Sequence, residues 1–194
     1  MYEITDKMMK KLQSQAWNKF LRAKATTKFD ELNVIKRSKV LYEELEKLNK
    51  EVYKEIAKQA YAQHSNIDIP KVAFILAILG AYDEVTQYVY NHEVDRKRAR
   101  FAESIIASGN SLQNYQRAFN LWIKQAEQYA ITVEDKATIK AYKDNGVKKL
   151  RWVSEKDSKT CSVCKERDGK VYDIDSVPSK PHINCRCYLV PKGE

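Results

Sequence analysis

A mainly α protein with a small β module at its C-terminal end is the fold class this sequence predicts. Three observations predict it. Only five glycines and four prolines punctuate 194 residues, so long helices should dominate the chain up to Gly146. Apolar residues recur at three- and four-residue steps through much of that stretch. All four cysteines fall between Cys161 and Cys187, in a segment whose apolar residues alternate in short runs.

The elements follow in order. Residues 4–25 read as a first helix, with Ile4, Met8, Leu12, Trp17, Phe20 and Leu21 on a broad apolar face. A longer helix over 28–64 places Leu41, Leu45, Leu48, Val52 and Ile56 on one side and Glu43, Glu44, Lys47, Lys50 and Glu51 on the other, the spacing of a helix packed in a bundle. Ser65–Pro70 should break it, because proline restricts the residue before it and lacks an N–H. A third helical stretch is expected over 71–92, extending through a basic run to Ser108, with a turn at Gly109-Asn110-Ser111. Ser111 is then a candidate cap for a helix carrying Leu112, Tyr115, Phe119 and Trp122. Thr132, with Asp135 three residues on, reads as the cap of a further helix to about 144 that Asn145-Gly146 terminates. Beyond it, Leu150–Ser154, Val171–Ile174 and Cys187–Val190 read as strands, with Asp168-Gly169 as a tight turn. The reading is an elongated helical body over 1–146 followed by a small module over 147–194.

Fewer than 50 residues cannot easily supply a core of their own, and the cysteines suggest what compensates. Cys161-x-x-Cys164 is followed, seventeen residues later, by His182-x-x-Cys185-x-Cys187. A thiolate pair two residues apart can fold around one tetrahedral ion, and a second His/Cys cluster can complete the shell. The spacing favours structural Zn2+ over two disulfides or a redox pair, since no βαβ pattern surrounds the motif and Met1–Asp6 lacks the apolar core of a signal peptide. Five candidates, Cys161, Cys164, His182, Cys185 and Cys187, compete for about four places. Cys161 and Cys164 are the firm pair. Cys185 and Cys187, two apart, would share a strand face, so the remaining ligands stay open. A catalytic ion would keep a free position beside a general base; the nearby acids Glu166, Asp168 and Asp173 sit in a charged loop and read as solvated, which makes the module a zinc-stapled structural one.

Net charge is +9 with a pI near 9.2, a balance that favours polyanionic partners. The cations are mostly dispersed. Arg96, Lys97, Arg98 and Arg100 form one cluster, although on a helix they would wrap the circumference. Lys148, Lys149 and Arg151, beside Trp152, form a second candidate strip for nucleic acid, with Trp152 itself expected in the core. The longest apolar stretch, Val72–Leu79, is too short to span a bilayer. No glycine-rich phosphate loop or nucleophile elbow occurs, and His64 and His92 are isolated, so no enzyme is expected.

One ordered set of residues is more specific than any of these features. Tyr142-Lys-Asp-Asn-Gly146-Val147, Arg151-Trp152-Val153-Ser154, Asp157-x-x-Thr160-Cys161-x-x-Cys164, Asp168-Gly169 and Pro181-His182-x-Asn184-Cys185-Arg186-Cys187 together resemble the minor head protein family of tailed bacteriophages, the head morphogenesis or Mu F-like group. The resemblance spans about residues 130–191. Where that family usually carries Arg-Thr-Glu, this chain reads Ile131-Thr132-Val133-Glu134, keeping the glutamate but not the arginine. The resemblance implies a non-enzymatic, low-copy structural protein of the virion, in the capsid interior or portal region. It would act in head morphogenesis and in DNA packaging or ejection, with several copies meeting the portal or major capsid protein and phage DNA. The alternative from the residues alone is a sequence-independent nucleic-acid-binding zinc module.

Overall fold

The computed structural model describes residues 2–25, 31–65, 112–181 and 185–193. Three long helices, α1 (Glu3–Ala25), α2 (Glu31–His64) and α3 (Leu112–Asp144), pack against one another. Their sizes of 23, 34 and 33 residues correspond to rods of about 35–50 Å. After α3 come β1 (Lys149–Val153), the short helix α4 (Ser162–Arg167), β2 (Val171–Asp173), a single 3-10 turn (Ile174–Ser176) and β3 (Tyr188–Pro191). The fold is mainly α with a small C-terminal sheet, as the periodicity predicts.

Each long helix buries one stripe. Met8, Leu12, Ala16 and Phe20 of α1 meet Leu45, Val52, Ile56 and Ala60 of α2, while Phe119, Trp122, Ala126, Ala130, Val133, Ala137 and Ala141 run down α3. The alanines let the backbones approach closely. Aromatic rings meet in the core around Phe119: Trp17 lies edge-on to it at 5.0 Å and Phe20 is 5.4 Å from the same ring. Such pairs add directionality to an otherwise non-directional apolar contact. Ile4, Trp17 and Leu48 pack against this core, whereas Leu21, expected on the apolar face, is exposed. Two tyrosine hydroxyls that reach the interface find partners, whereas the buried Thr5 Oγ1 and Asn49 Oδ1 make no hydrogen bond of normal geometry among the described residues. Tyr53 Oη donates to the Ala126 carbonyl at 2.9 Å and Tyr61 Oη to Asp144 Oδ2 at 2.6 Å.

One expectation is corrected. Thr132 does not start a new helix, because α3 runs unbroken from Leu112 to Asp144. No glycine or proline interrupts those residues, and the apolar stripe keeps its 3–4 step straight through the site. The Thr132 hydroxyl donates back to the Gln128 carbonyl at 3.1 Å, the way a mid-helix threonine satisfies itself. The end of α3 is as predicted. Gly146 takes a φ of +80°, the Gly146 amide reaches the Lys143 carbonyl and Val147 the Tyr142 carbonyl, both at 3.0 Å. These two bonds form a Schellman cap.

The sheet is antiparallel with order β2-β1-β3. Along central β1, Leu150 and Trp152 are buried while Lys149 and Arg151 face solvent, the period-two alternation of a half-covered strand. The expected third helix over 71–108, the Gly109–Ser111 turn and cap, and the side chains of Leu41, Leu112 and Tyr115 lie outside the described residues. No helix among the described residues is long and apolar enough to cross a membrane.

Candidate metal centre

The site is built by two turns that the sheet brings together. On one side, Cys161 is the N-cap of α4 and its sulfur accepts the Cys164 N–H at 3.4 Å. On the other, Cys185 and Cys187 lead into β3 and are both buried. Central β1 joins the halves: Trp152 N–H bonds the Lys170 carbonyl at 2.9 Å and the Trp152 carbonyl accepts Gly169 N–H at 2.8 Å. Gly169, the expected turn residue, sits at a φ of +77°, where a side chain would strain the backbone. Asp168 bonds Ser154 N–H at 2.8 Å, fixing the loop that leaves β1.

Three sulfurs, those of Cys164, Cys185 and Cys187, lie within 4.8 Å of one another and are buried. The sulfurs of Cys164 and Cys185 are 3.5 Å apart, far beyond the ~2.05 Å of a disulfide bond, and none of the four cysteines is in a disulfide. Cys161 packs against this group and is itself partly exposed. Burial pushes the Cys164 and Cys187 thiols upward from their ordinary values, Cys164 further raised by the hydrogen bonds its S–H donates to its sulfur neighbours. Three clustered, buried thiols suit a soft divalent ion, which would replace their protons. A second observation fits a metal. The Trp152 indole N–H is buried and makes no hydrogen bond of normal geometry, yet it stands near enough to Cys187 to pull that thiol downward, within the cluster of sulfurs. A Cys187 thiolate bound to an ion would draw this donor into a full hydrogen bond.

A clasp closes the two turns. Asp157 Oδ2 holds Arg186 Nη2 at 2.5 Å, while Asp157 Oδ1 accepts the Thr160 hydroxyl at 3.1 Å and the Lys159 N–H at 3.0 Å. One carboxylate thus ties the residue between Cys185 and Cys187 to the turn that precedes Cys161. Its bond to Arg186 holds the Asp157 carboxyl below the usual carboxylate range. Arg167 lies over the Trp152 ring, 5.1 Å from its centroid.

The module is also pinned to the helical body by a half-buried polar cluster. Tyr2 Oη stands 2.8 Å from both Asp135 Oδ1 and the Cys187 carbonyl, so one hydroxyl proton serves two acceptors. Lys180 donates to Tyr2 Oη, pairs with Asp135 at 2.7 Å and lies over the Tyr2 ring. Burial raises Asp135 against the downward pull of Lys180. Next to it, buried Glu134 accepts the Thr5 N–H at 3.0 Å. This satisfies an otherwise orphaned donor in the first turn of α1, and burial raises Glu134 as well. Asp135, read from the sequence as a capping-box residue, is thus a tertiary anchor. Tyr2 and Lys180 carried no signal in the sequence that could have identified them.

Of the predicted ligands, the structure gathers Cys164, Cys185 and Cys187 and sets Cys161 beside them; His182 lies outside the described residues. Of the predicted nucleic-acid residues, Lys148, Lys149 and Arg151 are exposed, the last two on the outer face of β1. Arg96, Lys97, Arg98 and Arg100 lie outside the described residues.

Comparison with known proteins gives one match. A family model described as phage Mu protein F like protein aligns with residues 3–190, so the helical body is covered together with the module. Searches of curated proteins and of solved structures return no match.

Proposed function

Because the chain belongs to the phage Mu protein F-like family, we propose that it is a structural minor head protein of a tailed bacteriophage, non-enzymatic and resident in the virion. The observation that carries this reading is the match over residues 3–190, which takes in both the bundle and the cysteine module. In this role the protein sits in the capsid interior or at the portal, in several copies, against the portal or major capsid protein. It serves head morphogenesis and the passage of DNA in packaging or ejection. Structural Zn2+ staples the module, so that a segment too small for its own apolar core presents a fixed surface to a neighbour. DNA is met through phosphate contacts, with Lys148, Lys149 and Arg151 as the cations of the module best placed to make them. The net charge of +9 supports this part of the reading.

Quantitative mass spectrometry of purified phage particles tests it. Copies numbering well below the major capsid protein, present in every particle, are expected. Absence from particles despite expression in infected cells would overturn the virion assignment. The second reading, a sequence-independent nucleic-acid-binding zinc module, is favoured by the exposed Lys149 and Arg151 on one sheet face. It predicts DNA affinity that falls steeply with salt for the free protein. It is refuted if Lys149→Ala with Arg151→Ala leaves affinity and salt slope unchanged.

A further inference from the structure

We infer that the metal is held by four thiolates, Cys161, Cys164, Cys185 and Cys187, with His182 outside the ligand set and with Trp152 and Arg186 as its outer shell. The inference rests on the metal-binding reading above and specifies its ligands. Three vertices are already assembled, since the sulfurs of Cys164, Cys185 and Cys187 lie within 4.8 Å of one another. The 3.5 Å between Cys164 and Cys185 approaches the ~3.8 Å edge of a tetrahedron with Zn–S bonds of about 2.3 Å. A closed structural ion then has one place left, for which the sequence offers Cys161 and His182.

Cys161 is built for that place. Its sulfur accepts the Cys164 N–H at 3.4 Å, so the Cys-x-x-Cys turn aims both thiols toward one point and supplies a donor that favours the thiolate form. It packs against the buried cluster of Trp152 and the three cysteines, just outside the group of sulfurs within 4.8 Å, and its partial exposure beside the depression puts it at the open side through which an ion would arrive. Cys185 and Cys187 are both buried in the cluster. The one-residue gap between them therefore delivers two ligands from the segment that leads into β3, and with Cys161 in the fourth place no position is left for His182.

The surroundings match the charge of such a shell. Four thiolates leave a divalent ion net negative, and the depression beside the cysteines is lined by Lys159 and Arg186 as well as Glu155 and Thr160. Asp157 fixes the Arg186 guanidinium there at 2.5 Å. The buried indole N–H of Trp152, which makes no hydrogen bond of normal geometry to protein, supplies the donor that metal thiolates take from their outer shell.

The test uses the full chain loaded with Co2+ or Cd2+. Cadmium NMR of the wild type reads the number of sulfur ligands directly, without any variant that could misfold. A four-sulfur shift is expected, together with a thiolate charge-transfer band for cobalt that loses intensity in Cys161→Ser and Cys187→Ser. Each of those substitutions should lower Zn2+ affinity more than roughly 100-fold, and Trp152→Phe roughly tenfold. His182→Ala should keep both the cobalt spectrum and the affinity. A three-sulfur, one-nitrogen cadmium shift overturns the ligand set, as does a His182→Ala variant that loses affinity while Cys161→Ser retains it. A wild-type protein that takes up no metal overturns the zinc reading itself.

Discussion

The helical body and the C-terminal module solve the same problem by opposite means. The body buries a continuous stripe of some nineteen apolar residues drawn from three helices, and its polar contacts are trimmings on that core. The buried cluster of the module comprises Trp152, Cys164, Cys185 and Cys187, three of whose four members are thiols. Apolar burial at about 25 cal/mol per Å² can hold the first together. The second has too little such area, so thiol chemistry and the Asp157–Arg186 clasp must supply what its core does not. Stability in the body is therefore spread over many residues, and in the module it is concentrated in a few.

The largest expected effect breaks that comparison at its sharpest point. Chelation, or Cys164→Ser, should remove a contribution on the order of 10 kcal/mol from the module. Amide exchange across residues 148–191 should rise by orders of magnitude, while the cores of α2 and α3 stay protected. Equal loss of protection in both regions would mean that the module is no separate stability unit. Next in size, Phe119→Ala should cost about 3–5 kcal/mol by opening a cavity among Trp17, Phe20 and Trp122. Thermal unfolding of the helices should move down accordingly, with Zn2+ affinity unchanged. Metal loss in that variant would show that the two regions unfold as one.

These contrasts explain what the sequence disclosed. The cysteine cluster was legible because a candidate metal site announces itself through local spacing, and the helices because a 3–4 apolar step is visible over a few turns. Trp152 was placed in the core by strand alternation. That Cys185 and Cys187 both join Cys164 was not legible, since it depends on how two turns meet across β1. Thr132 misled because a cap and a back-bonded mid-helix threonine look alike until the residues around them are placed. The pin between the regions was invisible for a different reason: Tyr2 and Asp135 are 133 positions apart and Tyr2 and Lys180 are 178 apart. No periodicity connects them.

That pin gives the comparison its intermediate test. Tyr2→Phe removes the hydroxyl shared by Asp135 and the Cys187 carbonyl, leaving both acceptors short of a donor at a cost of about 1–3 kcal/mol. The loss should appear in both regions, as faster exchange in the first turns of α1 and as weaker Zn2+ binding. A change confined to α1 would show that the module does not feel its attachment. Glu134 tests the same seam by charge. Burial raises its pKa in the folded state, so its favourable contribution is complete below the unfolded value and is lost as pH rises through the folded one. At neutral pH the ionised carboxylate is therefore the costly form. Glu134→Gln keeps an acceptor for Thr5 N–H without the charge, so it should be neutral or mildly stabilising near pH 7 and flatten the acid-side slope of stability. Glu134→Gln as damaging as Glu134→Ala would show that the charge itself is needed there.

The smallest effects come from two glycines that allow the cleanest comparison. Gly146 and Gly169 share nearly the same left-handed backbone, φ +80° and +77°, and a Cβ at either would meet nothing within 4 Å. Substitution by alanine thus applies one perturbation to both regions, backbone strain of about 1 kcal/mol without a clash. Gly146 ends α3 through the Schellman bonds, so Gly146→Ala should lower the thermal midpoint of the helices slightly and leave metal affinity alone. Gly169 N–H holds Trp152 in register behind the sulfurs, so Gly169→Ala should instead weaken Zn2+ binding severalfold and leave the helical midpoint in place. The same strain would then be read out as helix stability at one position and as metal affinity at the other. If both variants shift only the thermal midpoint, the metal does not carry the stability of the module, and the contrast between the two regions fails.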